Sequence, residues 1–185
     1  MTIVVQKETG VELKVWKTLK GGALSKAELR KELSAVRHLM MTDQAEKMLR
    51  WMSPLDKEQD LDLVILAGRD LNLMRAEVGF RGVISPYTYG DIYRVTRKFG
   101  LRLCPAEVGP LLRINYIDQP DGEFVKIAML PFVEGYHIND PGEGQFPVGR
   151  LESIFNVFSY GGRLWLGGTP RHCTDHHWVF WKPRK

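Results

Sequence analysis

The chain has 185 residues, a formal charge of +4, and a composition that is 44% hydrophobic and 26% charged. That is enough ordinary globular sequence for one domain with its own core, and it excludes a disordered chain or a disulfide-stapled miniprotein. Only two cysteines occur, Cys104 and Cys173, far apart and in no C-x-x-C pair. With no signal-peptide pattern at residues 1–7, they are expected to be reduced thiols in a cytoplasmic protein. The apolar runs are too short to cross a bilayer, so no membrane partner is expected. Basic residues are dispersed and cluster only at Lys182-Pro183-Arg184-Lys185, a pattern that fits a solvated surface better than a nucleic-acid footprint.

Residues 11–17 alternate apolar and charged side chains, the period of a half-buried strand, and Gly21-Gly22 stops it. Ser25-Lys26-Ala27-Glu28 has the form of a capping box, and Leu29, Leu33, Val36 and Met40 follow on one helical stripe. A second helix is predicted from Thr42, burying Ala45, Met48, Leu49 and Met52 and ending at Ser53-Pro54, so the two helices read as a hairpin. After a charged connector at 56–60, residues 61–67 read as a deeply buried strand. Residues 70–83 could be a short helix followed by a Gly-rich loop at Gly79 and Gly82. Tyr89, Ile92, Val95 and Phe99 line a further helix that Gly100 ends.

Pro105 suits the first position of a single helical turn, and Glu107 suits its positive end. Gly109-Pro110 is read as closing that turn. Residues 112–118 and 123–130 then read as a hairpin around Gln119-Pro120-Asp121-Gly122, with Asp118 opposite Glu123 and Ile114 opposite Ile127. The glycines and prolines of 134–149 mark a long surface loop. Residues 154–160 and 163–167 flank Gly161-Gly162, a two-residue hairpin turn, and 177–182 form a last strand. The fold class is therefore α+β: an N-terminal helical hairpin and a central helix packed on a mainly antiparallel β-sheet. It is one domain over 1–185, helix-rich over 1–100 and β-rich over 101–185.

The segments Val15-Trp16-Lys17-Thr18, Tyr89-Gly90-Asp91-Ile92-Tyr93, Leu103-Cys104-Pro105-Ala106-Glu107-Val108-Gly109-Pro110 and 116–123, with Trp178-Val179-Phe180, resemble an uncharacterised family of short bacterial proteins of unknown function. The resemblance covers most of the chain and implies a recurrent single domain, with no activity to carry over. The chain departs from that pattern by an apparent insertion around 68–76 and by its His-rich segment near His172.

The candidate ligand-binding residues are Cys104, Glu107, Arg113, Tyr116, Asp118, Gln119 and Glu123, because they place a thiol, carboxylates and a guanidinium near the ends of predicted elements. Cys104 before a helical turn could be an activated nucleophile, although a small buried hydrophobe is the simpler reading. Asp118 and Glu123 could act as an acid/base pair or cation site, sharing one acidic mouth with Glu107, or could splay into water. His172, Cys173 and His176 offer zinc-type ligands but lack a second paired motif. Outward-facing Phe158, Trp165, Trp178, Phe180 or Trp181 would make a stacking platform; facing inward they are core. No phosphate loop, nucleophile elbow or H-E-x-x-H occurs, and no cofactor is expected. The leading expectation is a non-enzymatic domain that binds a small ligand or a protein partner. The competitors are a small hydrolase-type enzyme using Cys104/Glu107 or Asp118/Glu123, and a nucleic-acid-binding module using basic and aromatic strand surface.

Overall fold

The computed structural model describes residues 13–77, 89–133, 152–170 and 176–184. Local chemistry sets the first elements. Strand β1 (Lys17–Gly21) starts later than the alternation at 11–17 indicated, and it leads into helix α1 (Lys26–Ala35). The Ser25 hydroxyl accepts from the Glu28 amide at 3.3 Å while the Glu28 carboxylate accepts from the Ser25 amide at 2.8 Å, closing the capping box. Helix α2 (Asp43–Trp51) opens at Thr42, whose hydroxyl accepts from the Ala45 amide. The two helices are not joined by a simple turn, because strand β2 (Leu39–Met41) lies between them and forms one edge of the sheet. The expected helical hairpin is thus replaced by a helix–strand–helix passage.

Strand β3 (Gln59–Leu66) is followed by helix α3 (Gly68–Glu77) and, after the undescribed 78–88, helix α4 (Tyr89–Arg97). The Gly-rich half of the 70–83 reading and the 134–149 loop lie outside the described residues. The next helix, α5 (Val108–Asn115), corrects the sequence reading most sharply. Residues 112–118 are not a strand, and no hairpin joins them to 123–130. Residues 108–113 are all buried, so the helix is enclosed on every side and has neither the alternation of a half-buried strand nor an amphipathic stripe. Pro110 does not end the helix because it sits in the first turn, where its missing N–H has no carbonyl partner to lose. Strand β4 (Phe124–Ile127) pairs instead with β6 (Glu152–Tyr160) antiparallel and with β8 (His177–Trp181) in parallel.

Short β5 (Phe132–Val133) also pairs with β6, and β7 (Arg163–Pro170) follows β6 through Gly161-Gly162. Both glycines have positive φ, 60° and 70°, which is what the predicted two-residue turn requires. The sheet order is β1-β3-β8-β4-β6-β7-β2, with β5 alongside β6. The fold is α+β, but the sheet is mixed rather than mainly antiparallel, since β4–β8 and β2–β7 are parallel pairs.

Register places Leu19, Leu61, Leu63, Val179, Val125, Val157 and Leu166 on one face, all buried. Helices α2 and α5 cover it, α5 approaching so closely that Gly109 lies against the Phe155 side chain. On the other face Val64, Leu66, Trp178 and Phe180 are buried, and α3 packs on β3 and on α4. At the sheet's β1–β3 end, Arg184 grips Asp62 with Nε at 2.7 Å and Nη2 at 3.0 Å, and the Thr18 hydroxyl adds a bond of 2.6 Å. No helix among the described residues is long and apolar enough to cross a membrane.

Candidate functional site

Because 108–115 is helical, the candidate residues fall at opposite ends of α5, whose eight residues extend about 12 Å. Cys104 and Glu107 lie at its N-terminal end, and Arg113, Tyr116, Gln119 and Glu123 gather at its C-terminal end. The shared acidic mouth of Glu107, Asp118 and Glu123 is therefore not formed.

At the N-terminal end the polar groups are spent on structure. The Glu107 carboxylate accepts from the Gly22 amide at 3.1 Å and the Leu55 amide at 3.3 Å, tying α5 to the turn after β1 and to the loop after α2. Burial raises its pKa, and the two amide bonds pull the other way. Cys104 is buried beside the Val179 carbonyl, its Sγ at 3.5 Å, and burial pushes its thiol far above the ordinary range. A thiol held neutral and enclosed is the small buried hydrophobe rather than the nucleophile.

The C-terminal end carries a connected polar network. Arg113 is fully buried; its Nη1 donates to Gln119 Oε1 at 2.6 Å and its Nη2 to the Tyr116 carbonyl, while Nε has no hydrogen-bond partner among the described residues. Burial lowers its pKa to about 10, which leaves it a cation at neutral pH. The Gln119 amide nitrogen donates to the carbonyls of Val157 at 3.2 Å and Glu123 at 3.3 Å, so this side chain is bonded at both its ends. The Tyr116 hydroxyl donates to Glu123 Oε2 at 2.7 Å. Burial and then the Glu123 carboxylate raise the Tyr116 pKa, so the phenol keeps its proton and the bond its direction. His177 Nδ1 is 3.9 Å from the other Glu123 oxygen. With 108–115 a helix, Asp118 is not set opposite Glu123 by a hairpin register; it is exposed, and the Tyr116 hydroxyl is what bonds Glu123.

Beside this network lies a cleft of about 640 Å³ where the ends of α1 and α5 meet the β6–β7 turn. Its lining combines the aliphatic Val36, Ile114, Ile117 and Leu164 with the polar Arg37, His38, Gln119, Asp121 and Ser159. Asp121 accepts from the Ser159 hydroxyl at 3.2 Å and the Gly162 amide at 3.5 Å. His38 takes φ of 60°, a left-handed conformation uncommon for a residue with a side chain. Sequence reasoning found Gln119 but missed His38, Asp121 and Ser159, since nothing local signals that these three segments converge.

The aromatic residues divide. Trp178 and Phe180 are core, and Trp181 is half-buried. Trp165, Phe158, Phe124 and His176 form a row across the sheet, with centroid spacings of 5.4, 5.2 and 4.6 Å and near-parallel rings for the first two pairs. Rings stacked on each other at the strand spacing stand upright and present edges, so inner faces are not open to a ligand. Lys126 and Asn156 are 4% and 0% exposed, with the Lys126 Nζ 5.3 Å over the Trp178 ring.

Of the zinc-type ligands, His172 and Cys173 lie outside the described residues. Among the described residues no group of three His, Cys, Asp or Glu side chains is arranged to hold a metal. Comparison with known proteins gives no match among family models, curated proteins or solved structures.

Proposed function

We propose that the chain is a non-enzymatic ligand-binding domain whose site is the cleft between α1, α5 and the β6–β7 turn. The observation that carries this reading is a fixed polar group lining the cleft: Gln119 accepts from Arg113 and donates to the Glu123 and Val157 carbonyls, and it shares the lining with the aliphatic Val36, Ile114, Ile117 and Leu164. A concave site lined by a few positioned polar groups and several aliphatic ones is how small-ligand pockets are built. The hydrolase reading loses support because Cys104 is enclosed and Glu107 is bonded to backbone amides. The nucleic-acid reading loses support because the aromatic rings stack on one another and Arg184 is engaged by Asp60 and Asp62. A cytoplasmic setting and kinship with the bacterial family that the chain resembles belong to the same proposal.

Ala35 is exposed, lies on α1 and lines the cleft, so Ala35→Trp fills the space without entering the core. A fragment library screened by NMR should yield binders that shift Gln119, Ile114 and Leu164 signals and lose binding in Ala35→Trp. Binders that map elsewhere and ignore the tryptophan would overturn the assignment.

A further inference from the structure

We draw no further inference here: the strongest candidate, the exposed basic patch of Arg94, Arg97 and Lys98 at the C-terminal end of α4, is where a helix ordinarily carries solvated cations, and nothing in the structure shows what covers it.

Discussion

Replacing Gly109 with alanine tests the packing of α5 on the sheet, because the two readings of Gly109-Pro110 give opposite signs. As the closing residues of an isolated turn, they would tolerate alanine. Inside a helix, with no backbone strain at this glycine, alanine would even gain up to about 1 kcal/mol of helix propensity. In the structure a Cβ at position 109 would lie 2.6 Å from both Cβ and Cγ of Phe155 and 2.7 Å from its Cδ2. Those atoms are the root of the ring, not its tip, so Phe155 cannot swing aside without moving β6, which pairs with β4, β5 and β7. Overpacking of this kind costs about 1–3 kcal/mol, at the upper end where the neighbour is anchored. After the propensity gain is subtracted, a net loss of about 2 kcal/mol remains. For a chain of this size that lowers the melting temperature by roughly 4–8 °C. Urea unfolding of Gly109→Ala, Phe155→Leu and the double variant reads both the loss and its cause. The alanine should cost less in the leucine background, with a coupling of about 1 kcal/mol or more. A neutral or stabilised Gly109→Ala, or strictly additive variants, would refute the close approach of α5 to β6.

Two further outcomes follow from the buried carboxylates. Hydrogen bonds from Arg184 and then Thr18 hold the Asp62 carboxyl at about pKa 2, below its ordinary 3.8. A depressed carboxylate stabilises the fold above its unfolded pKa and loses that contribution as pH falls through the folded value. The shift converts to about 2 kcal/mol at most, and solvent around the 58%-exposed Arg184 reduces it to about 1 kcal/mol. Asp62→Asn should therefore be less stable than the natural chain at pH 7, with the gap shrinking as pH falls below about 4 and closing only below the folded pKa of about 2, by denaturant titration; a gap unchanged across that window would be inconsistent with the clasp. At Glu107, alanine strands the Gly22 and Leu55 amides and should cost about 2–3 kcal/mol, whereas Glu107→Gln keeps an acceptor and should stay within about 1 kcal/mol. Equal losses in the two variants would mean that the amide bonds contribute nothing.

Features that depend on neighbours in the chain were legible without a structure. The Ser25–Glu28 capping box, the Thr42 cap, the buried stripe of α2 and the Gly161-Gly162 turn each rest on contacts within a few residues, so composition and spacing were sufficient. Residues 108–118 were not legible. A short apolar run with a glycine and a proline fits a buried strand or a buried helix equally in periodicity, and what decides is the surface it meets. The face of β6 presents Phe155 where only a glycine-bearing helix can approach. Pairing across long stretches of chain was hidden for the same reason: Lys126 becomes buried because β4 lies between β6 and β8, and no local pattern reports that parallel partner. The candidate site follows suit. Arg113, Tyr116, Gln119 and Glu123 were visible as polar residues in one motif. Only the helical turn of α5 brings the guanidinium to Gln119, and only the approach of α1 and the β6–β7 turn encloses a cleft beside it. Side-chain identity states what chemistry a position can do, and tertiary packing decides which of those groups are used up in holding the fold and which are left facing a ligand.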